Sequence, residues 1–173
     1  MKTALIVALV GTDSPGIIEK VSRVIREHHG NWSQSHMSRV SGMFTGILTI
    51  DVEGNDTQAL KTALETVAAA NQLSLLIETG NKENRDFKTF SIELLGNDKP
   101  GLINEVAHIL YREDINVEEL SSFTEPAPMS GGQLFKAHII AQLPQALLSS
   151  IESQLSAIAN DLMIDIQVKV SDD

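Results

Sequence analysis

Apolar and polar positions change period along this chain, and each change predicts an element. Residues Thr3 to Val10 are almost continuously apolar, as in a strand buried on both faces, and Gly11-Thr12 turns the chain. From there Ile17, Ile18, Val21, Val24 and Ile25 recur at the three-and-four spacing of a helix with one buried face. A polar extended segment from Asn31 to Val40, a Ser41-Gly42 turn, and an alternating run with Phe44, Gly46, Leu48, Ile50 and Val52 on one face predict a hairpin. Gly54-Asn55-Asp56 then caps a second helix bearing the stripe Leu60, Ala63, Leu64, Val67 and Ala68. Leu73, Leu75 and Ile77 close the unit as a strand. The order is βαββαβ.

The whole order then returns. Gly11-Thr12-Asp13-Ser14-Pro15-Gly16-Ile17-Ile18 recurs as Gly96-Asn97-Asp98-Lys99-Pro100-Gly101-Leu102-Ile103, a constant offset of 85. The helix behind it repeats its apolar face as Leu102, Ile103, Val106, Ile109 and Leu110. Between the copies runs a charged linker, Gly80 to Asp86. Strands are predicted near Phe87 to Leu95, Asn116 to Thr124, Gln133 to Leu143 and Leu162 to Val170. Later matches drift, Phe44 to Phe135 and Gln58-Ala59-Leu60 to Gln145-Ala146-Leu147, which makes Glu125 to Gly132 a hairpin loop lengthened by about six residues. Pro126 and Pro128 stiffen that loop, which is either a partner contact or a tolerated surface insertion.

With right-handed crossovers a βαββαβ unit folds as a ferredoxin-like sandwich, a four-stranded antiparallel sheet with both helices on one face. The expected fold is therefore α+β, with one such module over 1–80, a linker over 81–86 and a second module over 87–173. Modules this small have thin cores, so mutual support or a second chain is expected, and with it a homo-oligomer. In the first strand Ala4, Ile6, Ala8 and Val10 are apolar as well as Leu5, Val7 and Leu9, so its helix-free face should lie against a neighbouring sheet or subunit. The corresponding second strand alternates Thr89, Ser91 and Glu93 with Phe90, Ile92 and Leu94, so the two modules face different surroundings.

Charge narrows the function. With 13 Lys+Arg against 23 Asp+Glu the formal net charge is −10, which repels nucleic-acid backbones and anionic membranes. Aromatics are only 4%, which also argues against the RNA-binding version of this fold. The absence of cysteine removes disulfides and thiolate chemistry and fits a reducing compartment. Met1-Lys2-Thr3 and its apolar run imitate a signal peptide but lead into the turn motif, and no stretch nears the ~20 apolar residues of a membrane span, so a cytoplasmic protein is expected. Catalysis is not expected: the Gly11 to Gly16 loop holds no Arg for an acylphosphatase-like site, and there is no Gly-x-Ser-x-Gly elbow. Neither metal nor cofactor is expected: His28 and His29 with His36 on the following strand suggest a metal site, but no supporting carboxylate is evident and adjacent histidines point apart on a helix.

The repeated turn is the candidate site. Asp13 or Ser14, and Asp98, are expected to supply capping oxygens, with Pro15 and Pro100 presetting the first helical turn. Gly16 and Gly101 lack a Cβ, so a ligand can approach the free amides, where the helix dipole favours a carboxylate by ~0.3 to 1 kcal/mol. The same features describe a well-capped helix with a glycine for packing, and duplication preserves either. Asn31 and Asn116 share the offset of 85 and open the edge strands. They are read as lying near the helix N-termini, able to meet the ammonium or carboxylate of a small zwitterion, or else as left-handed turn residues.

These residues resemble the ACT domain family, βαββαβ ligand sensors with a Gly-x-Asp-x-Pro-Gly type loop and an Asn at the start of the second strand. The resemblance covers the chain twice. Tandem pairing, length and acidic balance are similar to one group within it, the transcriptional repressors of the glycine cleavage system. The resemblance implies ligand contacts from Asp13, Ser14, Pro15, Gly16 and Asn31, and from Asp98, Lys99, Pro100, Gly101 and Asn116, at an interface between ACT modules. It further implies a small amino acid, glycine, as ligand and a LysR-type activator as partner, with no direct contact to DNA. Lys99 in place of Ser14 and the longer second hairpin make the two sites unequal. The rival reading is a regulatory subunit or adaptor of a metabolic enzyme.

Overall fold

The computed structural model describes residues 2–80, 88–128 and 131–170. The predicted linker, 81–86, and the strand start at Phe87 lie outside the described residues. The chain divides into two compact units, Met1–Glu83 and Asn84–Asp173.

The first unit runs β1 (Lys2–Thr12), α1 (Ile17–Glu27), β2 (Asn31–Val40), β3 (Met43–Glu53), α2 (Thr57–Ala70) and β4 (Leu73–Thr79). Its antiparallel sheet has the order β2-β3-β1-β4. One face of β1 (Leu5, Val7, Leu9) and of β3 (Phe44, Leu48, Ile50, Val52) buries against Ile17, Val21, Val24 and Ile25 of α1 and Leu60, Leu64 and Ala68 of α2. Alternation in β3 therefore separates core from exterior as its period requires. Ser41 (φ 50) and Gly42 (φ 82) both take positive φ, the two-residue turn whose twist matches the strands, and this fixes Val40 opposite Met43.

The second unit repeats this with β5 (Lys88–Asn97), α3 (Leu102–Arg112), β6 (Asn116–Pro126), β7 (Gln133–Leu143), α4 (Leu148–Leu162) and β8 (Ile164–Val170), in sheet order β6-β7-β5-β8. Its core joins Phe90, Ile92 and Leu94 to Val106, Ile109 and Leu110 of α3 and Ile151 and Leu155 of α4. The long hairpin keeps pairing through Pro126 with Gln133, and the Ala127 amide donates to the Gly132 carbonyl at 2.9 Å; residues 129–130 lie outside the described residues.

Duplication reaches features with no motif. The pairing register slips between Trp32 and Gln34 and again between Val117 and Glu119, the same place in each edge strand. His29, Gln72, Asp114 and Met163, the residues that end the four helices, all adopt left-handed φ near 55.

Several expectations need correction. Leu162 ends α4 and does not open β8, because Met163 (φ 54) breaks the helix first. Ile18 is 51% exposed, so only its counterpart Ile103 leans on a core. Asp56 takes the N-cap position of α2 without a side-chain cap; the turn closes instead through the Asp56 amide and the Thr57 hydroxyl, both donating to the Glu53 carbonyl at 2.9 and 3.2 Å. The helix-free face of β1 is apolar, as its sequence predicts, and within its own unit it is uncovered: Ala4, Ile6 and Ala8 are half-buried and Val10 is exposed.

Candidate functional site

β1 passes into α1, and β5 into α3, through the repeated turn. Its first glycine answers to packing. A Cβ on Gly11 would stand 2.6 Å from Leu73 Cδ2 and 2.9 Å from the Gln72 carbonyl oxygen, and one on Gly96 would collide with Ile164. Its second glycine answers to backbone conformation. Gly16 (φ 88, ψ 4) and Gly101 (φ 96, ψ −5) are themselves the N-caps, in the left-handed region, and their carbonyls accept the first helical bonds from Lys20 and Glu105 at 3.0 Å each.

This geometry overturns the expected capping. Neither helix has a side-chain cap, because the N-cap residue is a glycine, and Pro15 and Pro100 precede the cap and do not fill the first helical position. Asp13, three residues upstream, turns elsewhere: its carboxylate pairs with Arg39 Nε at 3.0 Å and its amide donates to the Gly42 carbonyl at 3.1 Å. Asp98 makes the equivalent backbone bond, to the Gln133 carbonyl at 2.9 Å. The acidic residue thus lashes the turn to the neighbouring hairpin.

Donors are left over. Among the described residues no acceptor meets the amides of Ile17 and Ile18, or of Leu102 and Ile103, and nothing lies within 4 Å of where a Cβ would stand on Gly16 or Gly101. Open amides at the positive end of a helix dipole, beside open space, suit an anionic group. Asp13, Ser14, Pro15 and Gly16 are exposed, as are Asp98, Lys99, Pro100 and Gly101. The turns differ in charge. Lys99 Nζ reaches the Leu162 carbonyl at 3.4 Å, whereas the first turn has Ser14 and draws its cation from Arg39.

The two asparagines are not at this end. Asn31 pairs with Asp51 while Thr12 pairs with Met43, so ~26 Å of strand separates Asn31 from the turn. Asn116 pairs with Gln142 while Asn97 pairs with Leu134, which repeats the separation. The reason is direction: the helix returns the chain to the far edge of the sheet before β2 begins. A single zwitterion cannot span that distance within one unit. Asn116 instead donates to Glu118 Oε1 at 3.2 Å. Arg39, which does stand beside the turn, was missed; its signal was the Ser41-Gly42 hairpin, which brings the end of β2 level with the end of β1.

Hollows occur on the helix-free sheet faces. One of about 410 Å³ is lined by Ala8, Val10, His36, Ile47 and Leu76, and one of about 370 Å³ by Glu93, Phe123, Lys136, His138 and Asp165. His28 Nδ1 lies 3.0 Å from the Val24 carbonyl, a helix-end contact. Among the described residues no helix is long and apolar enough to cross a membrane.

Two ferredoxin-like units, each opening its first helix on a left-handed glycine, define a duplicated α+β protein with paired anion-compatible turns. Residues 3–78, which make up the first unit's strands and helices, match the family model described as ACT domain, and the second unit repeats their sheet order, turn and bulge, so the fold is that of two ACT-like ferredoxin-like units in tandem. Over 161 residues it is 23% identical to a glycine cleavage system transcriptional repressor of Escherichia coli (strain K12), covering 91% of this chain and 85% of that protein. The same figures hold for the repressor of Shigella flexneri. A crystal structure of an unknown protein from Galdieria sulphuraria superposes with a TM-score of 0.90 at 22% identity, over 99% of this chain and 100% of the other. One assigned as a glycine cleavage system transcriptional repressor gives 0.72 at 19%, over 100% and 99%. These likenesses carry the fold.

Proposed function

We propose that this chain is an ACT-type regulator that senses a small amino acid, glycine, and acts through contact with another protein and not through catalysis. The observation that carries the reading is the pair of glycine turns whose first-turn amides meet no acceptor among the described residues and whose surroundings are open. A carboxylate placed there gains both donors and the helix dipole. The regulated target proposed is the glycine cleavage system, and the protein contacted a LysR-type activator, on the strength of the likeness to repressors of that name. A net charge of −10 supports an indirect route, since the chain itself repels DNA. The proposed setting is the cytoplasm and the proposed domains are 1–80 and 87–173. Ligand binding need shift partner affinity by only ~1 to 3 kcal/mol to regulate.

A second reading, a ligand-free adaptor of a metabolic enzyme, draws on the exposure of both turns within their units. Capture of partners from lysate by the full chain, with and without added glycine, separates the two. Glycine-dependent recovery of a DNA-binding activator supports the first; glycine-independent recovery of a biosynthetic enzyme contradicts it.

A further inference from the structure

We infer that two copies of this chain meet through the helix-free face of the first sheet, each contributing the same surface. Val10, Ile47 and Leu76 stand side by side there, 42%, 49% and 59% exposed, around the half-buried Ala8. Duplication supplies the control. At the same sheet positions the second unit carries Glu93 for Ala8, His138 for Ile47 and Gln167 for Leu76, keeping an apolar residue only at Leu95 for Val10, and it reaches the same fold. The architecture therefore does not demand apolar residues on this face, and another surface must account for them.

Charge selects a second copy as that surface. A chain of net charge −10 repels itself, and association is least opposed where a patch carries no charge, as around Ala8, Val10, Ile47 and Leu76. The opposite pairing, this face on the second unit's, would strip water from Glu93, Asp165 and the Lys169–Glu93 ion pair. Carboxylates of the first face, Asp51, Glu53 and Glu78, sit at one end, level with Ala4, Lys2 and Ile6. A two-fold axis near Ala8 sets that end of each copy over the uncharged Val10, Thr45 and Ser74 of the other. Four strands of this length present a face of about 700 Å², close to the ~800 Å² per partner of a standard interface.

Sedimentation equilibrium of the full chain tests this. A mass twice 18.8 kDa is expected. Joint replacement Ile47→His and Leu76→Gln, which installs the second unit's own residues, should weaken dimerisation by 100-fold or more with an unchanged far-UV circular dichroism spectrum. Glu93→Ala with Asp165→Ala should leave the dimer intact. Because the chain has no cysteine, a fold-neutral check is available: Ala8→Cys should couple two copies through a short bis-maleimide, and Asp165→Cys should not. A monomeric wild-type chain, a dimer indifferent to Ile47 and Leu76, dissociation by the Glu93 and Asp165 pair, or the reverse crosslinking pattern would overturn the inference.

Discussion

Gly11 lies so close to Leu73 that a Cβ on it would stand 2.6 Å from the leucine Cδ2, with the Gln72 carbonyl oxygen at 2.9 Å. The first glycine of the repeated motif is therefore a contact between β1 and β4, not part of a ligand cradle. Part of that obstruction is backbone, so rotamer changes cannot relieve it. Gly11→Val is expected to destabilise the chain by ~1 to 3 kcal/mol through overpacking, read from urea denaturation. Glycine binding per folded molecule should persist.

Gly16 presents the opposite case, with open space but a φ of 88. Gly16→Ala should cost ~1 to 2 kcal/mol of stability through the left-handed backbone alone. Gly16→Asn should cost less, since asparagine tolerates this conformation, while its side chain enters the space beside the amides. Thermal melts of the two variants distinguish backbone strain from crowding.

Met163 ends α4 at φ 54 and is 75% exposed. Glycine at that position removes the conformational strain and loses little packing, so Met163→Gly is expected to stabilise by ~0.5 to 1 kcal/mol. His29, at φ 56, should respond the same way. Destabilisation of both variants in denaturant titrations would show that their side chains hold more than the helix end.

Much of the fold was legible because two periods and one repeat agreed. Phe44, Leu48, Ile50 and Val52 read directly as a buried face, and the offset linking Gly11 to Gly96 placed the second unit from the first. Ile18 misled because helical spacing admits it to the stripe, although it stays 51% exposed while its neighbour Ile17 is buried. The site was legible in type and not in place. Asn31 shares the motif's repeat offset, yet strand direction sends it ~26 Å away, a fact held in the pairing of Asn31 with Asp51 and not in any local pattern. Arg39 is legible only indirectly, through the Ser41-Gly42 turn, since the hairpin register and no local motif carries it to Asp13. Glycine conformation was the remaining blind spot: a residue that serves as N-cap by its own backbone leaves the nearby Asp and Pro free for other work.

The sensing claim is tested most directly by isothermal titration calorimetry of the full chain with glycine, followed by the other proteinogenic amino acids. The account predicts saturable heat with glycine that Gly16→Asn weakens at least tenfold while circular dichroism stays unchanged. No saturable heat from any amino acid, or binding indifferent to Gly16→Asn and to the matching Gly101→Asn, would contradict it.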